Sequence, residues 1–316
     1  MIDRRRIVVV GRPDDVVTLQ SDARFVLSAK GEVFAASTRA PGTISVYDSG
    51  GRFTRTVGRP GQGPGEFASV TSFAVIEDEL YVLDVGNRRL SVFSTALELR
   101  RTIPLGVGPT AFVVLKDRRI IASVVHPRDG ATGGTLAMLD PNGGVVRAFD
   151  PESTTFRGIS VQRTVAPAVD SGFWSAAVTR YAVRHWSSNG VLLQSLERRP
   201  SWFEPWTRQP EGIPAAAPLS PMVLGVREDP ERRLWVQMLV PDRNWKAEAT
   251  RVGRGGWDRY IDTLVEIIDP RRGVIVASQR FDEILSPMDA RGYTASSNED
   301  PDGFVSWTIW RLELRR

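Results

Sequence analysis

The chain of 316 residues is 41% hydrophobic, carries a formal net charge of +4 and contains 28 Gly and 21 Pro, a composition that suits a turn-rich folded protein with a large core and excludes general disorder. Cysteine is absent, which excludes disulfides, thiolate metal sites and cysteine nucleophiles, and no apolar run approaches the roughly 18 residues of a membrane helix. Lysine occurs only at Lys30, Lys116 and Lys246; the arginines that carry the positive charge are spread over many segments instead of forming a basic stripe, so nucleic acid is not an expected partner.

Along the chain, Met1 to Gly11 has too short an apolar stretch for a signal peptide, but Arg5 to Val10 (RRIVVV) reads as a strand. From there the sequence repeats. The clearest unit runs from Gly50 to Ser94 as strand, glycine-rich crossing, strand, acidic turn, strand, polar turn and strand. Each unit carries a second strand followed by a third: EVFAAS from Glu32 with TISVYD from Thr43, ELYVLD from Glu79 with RLSVFS from Arg89, and RIIASV from Arg119 with TLAMLD from Thr135. The later pairs are GFWSAA from Gly172 with RYAVRHW from Arg180, RLWVQM from Arg233 with DTLVEIID from Asp262, and RGYTAS from Arg291 with FVSWTIWRLEL from Phe304. Self-similarity at a period of about 40 to 50 residues is the signature of propellers and solenoids. Six pairs imply an all-β, six-bladed β-propeller, expected as one domain over residues 1–316.

Strand character agrees. ELYVLD and TISVYD place apolar residues on both faces, as strands sandwiched between blades require, whereas RFTRTVG (Arg52 to Gly58) mixes polar and apolar positions as an outer strand would. Asp48-Ser49-Gly50-Gly51 and Asp140-Pro141-Asn142-Gly143 are hairpin turns by composition. The last blade ends at Leu314 without an outer strand, so Ile7 to Val10 is predicted to complete the blade containing Trp307 and Trp310 and so close the ring. Two insertions break the period, at residues 200–221 and 241–260, and both are expected on the top face, where crossings between blades and second-to-third-strand loops surround the channel mouth. Long loops in a compact fold are usually functional or disordered, and the Trp202, Phe203, Trp206, Trp245 and Trp257 side chains in these argue against disorder.

GRPGQGPGEF (Gly58 to Phe67) followed by LYVLDVGNRRLSVF (Leu80 to Phe93) resembles the NHL-type repeat of bacterial six-bladed propellers, most strongly over Gly31 to Leu105. The resemblance implies a six-bladed ring of a kind often found in exported bacterial proteins; related propellers include binding modules, RNA-binding platforms, lyases and calcium-dependent lactonases, so it does not select a function. On physical grounds Gly61, Gly63 and Gly65 let the chain cross from one blade's rim to the next blade's axis, Phe67 plugs between blades, and Glu66 accepts backbone amides or pairs with Arg88 or Arg89. A phosphate cradle would need a strand before the glycines and a helix after them, and no helix follows.

Candidate chemistry is sparse. Of the two histidines, His185 falls within a third strand and reads as packed, while His126 should reach the top face with a candidate proton-transfer role. Asp84, Asn87, Arg88, Arg180, Asp242, Arg243 and Asn244 lie at second-to-third-strand turns and are expected to converge on one mouth, with Asp84 and Asp242 the further catalytic candidates. Asn298, Asp300 and Asp302 sit at alternate positions before Gly303, like the start of a calcium loop, but Ile309 stands where the bidentate glutamate belongs and turn chemistry accounts for the segment. No cofactor is predicted, and calcium at these residues is the alternative. No GxSxG, Walker or HExxH motif occurs.

The expected site is aromatic: Trp202, Trp206, Arg208, Trp245 and Trp257 facing one another across the top, joined by Arg88, Arg180, Arg243 and Asn244, suits a hot-spot surface or pocket wall. The bland alternative is that these Trp bury the insertions against the propeller. The leading expectation is a soluble, monomeric protein binding another protein or peptide, a glycan or a small molecule at its top face, without catalysis of its own. The alternative is a propeller hydrolase, lyase or cyclase. Beginning on a closing strand resembles a trimmed mature domain, so periplasmic or extracellular residence is the expectation, and cytoplasmic residence the alternative.

Overall fold

In the computed structural model residues 1–37, 42–124, 134–151, 161–206, 217–247 and 259–315 are described. Nearly every apolar run in them becomes a strand. The chain opens with β1 (Ile2–Val10) and then builds the first blade from β2 (Ala23–Leu27), β3 (Val33–Ser37), β4 (Ile44–Tyr47) and β5 (Phe53–Val57). A short parallel pair, β6 (Arg59–Pro60) and β7 (Glu66–Phe67), brackets the glycine-rich crossing. The second blade is β8 (Val70–Ile76), β9 (Glu79–Asp84), β10 (Arg89–Ser94) and β11 (Leu99–Pro104); the third is β12 (Pro109–Val114), β13 (Ile120–Val124), β14 (Leu136–Leu139) and β15 (Val145–Phe149). The fourth comprises β16 (Arg163–Pro167), β17 (Phe173–Ala177), β18 (Ala182–Trp186) and β19 (Leu192–Glu197), and the fifth β20 (Met222–Glu228), β21 (Leu234–Pro241), β22 (Ile261–Asp269) and β23 (Val274–Phe281). The sixth holds β24 (Tyr293–Glu299) and β25 (Val305–Leu314).

Each of the first five blades is an antiparallel four-stranded sheet in chain order. The sixth is ordered β1-β25-β24, so the N-terminal strand supplies its outer edge. Val8, Val9 and Val10 pair with Ile309, Thr308 and Trp307, and the ladder runs back to Ile2 opposite Leu314, with a bulge between Arg6 and Val8. The ring is a six-bladed propeller closed as the sequence predicts, by a strand longer than Ile7 to Val10. The second and third strands are buried along almost their whole length while β5, β11 and β15 are largely exposed. That gradient, from dry centre to wet rim, is what apolar residues on both faces of the middle strands require.

The inner edge of the sixth blade is irregular, and Pro287 explains it. A proline lacks the N–H that a ladder needs. Buried Gln237 from β21 takes over: its Nε2 donates to the Ser286 carbonyl at 2.9 Å and its Oε1 accepts from the Met288 N–H at 2.7 Å. Ser286 N–H still reaches the Ala295 carbonyl at 2.7 Å, which fixes its position relative to β24.

The glycine-rich crossing behaves as expected at most points. Phe67 is fully buried among Phe34, Val46, Leu80, Val82 and Phe93, between the first two blades. Gly58 has φ +79°, and a Cβ there would lie 2.4 Å from the Phe67 ring, so both backbone and space require glycine. Glu66 accepts from the Gly63 N–H at 2.7 Å, which with the nearby Arg59 guanidinium holds its carboxyl below the usual range. Its ion-pair partner is thus Arg59 at 2.7 Å and not Arg88 or Arg89. Arg89 instead clamps the loop by donating to the Gln62 and Gly63 carbonyls at 2.8 and 2.7 Å.

Candidate functional site

Each inner strand starts at the face that carries the crossings between blades, so equivalent positions form layers around the axis. The ladders fix the equivalence. Ala23, Val70, Pro109, Arg163 and Val223 pair with the corresponding second-strand residues Ser37, Asp84, Val124, Ala177 and Met238. One residue further along stand Arg24, Thr71, Thr110, Thr164 and Leu224, while in the sixth blade Ser286 sits lower, opposite Ala295, where Val26 stands opposite Phe34 in the first blade. All six line a central channel of about 560 Å³.

Three blades interrupt their ladders at this layer. Register shifts fall between Val70 and Ser72, Pro109 and Ala111, and Val223 and Gly225, so Thr71, Thr110 and Leu224 are each the extra residue. A bulge releases a residue from the ladder and re-aims its side chain, and bulges are over-represented beside functional sites. Further along the same strands the channel wall is apolar, with Phe73, Val75 and Val165 half-buried in it. At the far end Asp289 pairs with Arg291 at 3.1 Å and accepts the Arg291 and Tyr293 amides, which occupies it in its own turn.

The residues singled out by sequence are distributed around this channel instead of in it. Trp202, Phe203 and Tyr181 form one aromatic cluster on the fourth blade, with centroids 5.8 to 6.4 Å apart. Phe203 is buried and Trp202 is 40% exposed. Trp206 is tied down by its indole N–H, 2.8 Å from the Pro221 carbonyl. Trp245 packs separately, with Tyr260, Ile261, Leu219, Leu239 and Ile284. Arg208, Trp257 and His126 lie outside the described residues.

The polar candidates are mostly engaged. Asp84 is fully buried and accepts from the Ser69 N–H at 2.8 Å and from Asn87 Nδ2 at 2.7 Å, which ties the crossing to the second blade. Exposed Arg88 has φ +53° in that turn. Arg180 begins the turn into β18, where its carbonyl accepts from the Ala182 N–H at 2.8 Å. Arg243 pairs with Asp282 at 3.3 Å, both exposed, and Asn244 N–H caps Asp242 at 2.5 Å. Behind Asp242 lies Asp262, fully buried and paired with Arg280, with one carboxylate oxygen that finds no partner among the described residues. Burial raises the Asp262 carboxyl above its usual range against the pull of Arg280, and Asp242 adds to the rise.

Asp300 spends one carboxylate oxygen on the Asp302 and Phe304 amides, at 3.0 and 2.9 Å, the geometry of an Asx turn. Asn298 pairs with Ser306 within the ladder. His185 stacks on Trp174 at 4.5 Å and meets Asp170 at 3.2 Å, a packed residue as read from the sequence. Among the described residues no group of three or more His, Asp or Glu is arranged to hold a metal ion, and no helix is long and apolar enough to cross a membrane.

What the sequence reading missed is the layer of Arg24, Thr71, Thr110, Thr164 and Leu224. A signal for it exists. Counting back from each second strand would have found these residues, but the repeat was anchored on the more regular second and third strands.

A 6-bladed beta-propeller family matches residues 26–121. No curated protein matches the chain. Among solved structures, a candidate exported protein from Bacteroides fragilis superposes with a TM-score of 0.63 at 10% identity, over 100% of this chain and 96% of that one. A member of the duf4221 family from Bacteroides vulgatus gives 0.64 at 11%, over 99% of each chain. A virginiamycin B lyase from Staphylococcus aureus gives 0.54 at 11%, over 98% of this chain and 99% of that one. At such identities the likeness is one of fold.

Proposed function

We propose that the chain is a monomeric, NHL-type, ligand-binding propeller that takes a peptide, glycan or small molecule at its top face without transforming it. The observation that carries this reading is the central channel of about 560 Å³, within the range of small-molecule sites, whose upper layer is set by bulges in three inner strands. On this reading a larger ligand would also touch Trp202, Trp206, Trp245, Arg88, Arg180, Arg243 and Asn244; the candidates Arg208 and Trp257 lie outside the described residues. No cofactor is part of this reading.

Equilibrium dialysis against peptide, glycan and small-molecule libraries, read by mass spectrometry, tests it. One compound per chain, recovered unchanged and no longer retained by Leu224→Trp or by Trp202→Ala, is the expected result. Retention of nothing would remove the reading.

A second reading, a propeller enzyme, is favoured by Asp262, whose raised carboxyl beside Asp242 is the kind of perturbed pair that serves acid–base chemistry. The lyase of the same fold lends it a precedent and no residue. It predicts a chemically altered compound in the same dialysis, with turnover lost in Asp262→Asn.

A further inference from the structure

Arg24 holds the largest unused hydrogen-bonding capacity in the upper ring. A guanidinium has five N–H donors. Arg24 uses one, Nη1 to the Asp22 carbonyl, at a long 3.3 Å. The residue is half-buried and lines the channel; burial lowers its pKa, opposed by the charge of Asp22, and it forms no ion pair among the described residues. The other guanidiniums on the channel wall are treated differently. Arg163 Nε donates to Asp150 at 2.7 Å and Arg291 pairs with Asp289.

Desolvating a charge without a bonded counterion is unfavourable, and a fold retains such a group where something else completes it. On the neighbouring inner strand the Thr71 hydroxyl is buried and has no hydrogen-bond partner among the described residues. Thr110 and Thr164 add hydroxyls to the same layer, and Leu224 adds no charge, so Arg24 is its single charge. Below lie Phe73, Val75 and Val165.

Resting on the binding reading above, we propose that the upper ring holds the oxyanion headgroup of a small amphiphilic molecule. Arg24 donates to the carboxylate or phosphate oxygens, and the apolar body enters the channel. The planar fork of Arg matches either headgroup with two parallel bonds. One charge in a ring of hydroxyls selects one oxyanion, not a polyanion.

Isothermal titration of the whole chain with octanoate, octyl phosphate and octanol tests the proposal, because the three share a body and differ at the head. At least one anion should bind at one per chain, about tenfold or more tighter than octanol. Arg24→Gln should bring the anion to the level of octanol, and Arg24→Lys should fall between, since an ammonium lacks the fork. Thermal unfolding of each variant confirms that it is folded. If octanol binds as tightly as the anions, or Arg24→Gln leaves anion affinity unchanged, the oxyanion site is overturned while channel binding survives. If no probe binds, the oxyanion site is again overturned, and the dialysis experiment decides the broader reading separately.

Discussion

Glu79 is a buried charge and Arg24 a half-buried one, and the fold treats them in opposite ways. Glu79, at the lower end of β9, accepts from Arg101 at 2.7 and 3.1 Å, from Arg118 at 2.7 Å and from the Tyr81 hydroxyl at 2.9 Å. Its carboxyl is lowered to about 2, chiefly by the Arg101 hydrogen bonds and against the effect of burial. Arg24, at the upper end of β2, has one long bond to a carbonyl. A saturated charge holds blades together, and an unsaturated one is left for a partner. The difference predicts that changes at the lower face and the closure register in stability, and changes at the upper ring register in binding.

The largest effect is expected from the closure. Deleting residues 1–10 strips the outer edge of the sixth blade, including buried Ile2, Val8 and Val10. A loss on the order of 5 kcal/mol or more, comparable to the whole stability of many domains, should abolish cooperative thermal unfolding. A truncated chain that melts like the intact one would break the closure account.

Glu79→Gln should cost roughly 2–4 kcal/mol, because it leaves guanidiniums around a neutral group. The pH dependence has a definite sign. The folded value of about 2 lies below the ordinary 4.5, so the stabilisation is complete above about 4.5 and is lost as pH falls through about 2. Chemical denaturation should therefore find the gap between wild type and variant narrowing across that window. A gap that widens on acidification would contradict the assignment.

Gly51→Ala should cost about 1–3 kcal/mol, since φ is +79° and the new Cβ would stand 2.0 Å from the Val9 carbonyl of the closing strand. An unchanged denaturation midpoint would show that the strand is placed otherwise. Smallest of all, Arg24→Gln should leave stability within about 0.5 kcal/mol of wild type, since it removes one weak bond and a desolvated charge. A large destabilisation would make Arg24 a structural group like Glu79 and erase the contrast.

The contrast also marks where the sequence is legible. The second and third strands are recognisable because burial on both faces writes continuous apolar runs such as ELYVLD and RLSVFS, and the closure follows from one strand surplus at one end and one missing at the other. Asx turns at Asp48, Asp140 and Asp300 are readable because the chemistry is local. The ring is not, because Arg24, Thr71 and Thr164 come from different blades, far apart in sequence, and share only a position along inner strands. Pro287 and the bulges at Thr71 and Thr110 blur even that position. Conversely Trp202, Trp206 and Trp245 are conspicuous in sequence but lie in separate packing clusters, and spacing alone cannot distinguish a packed indole from one that meets a ligand.

The most direct test is a crystal structure of the whole chain grown with octanoate or octyl phosphate. The account predicts the headgroup within about 3 Å of the Arg24 guanidinium, with the alkyl chain running past Phe73 and Val165. A headgroup bound at the Asp289 end, or a ligand seated on Trp202 with the channel empty, would contradict it.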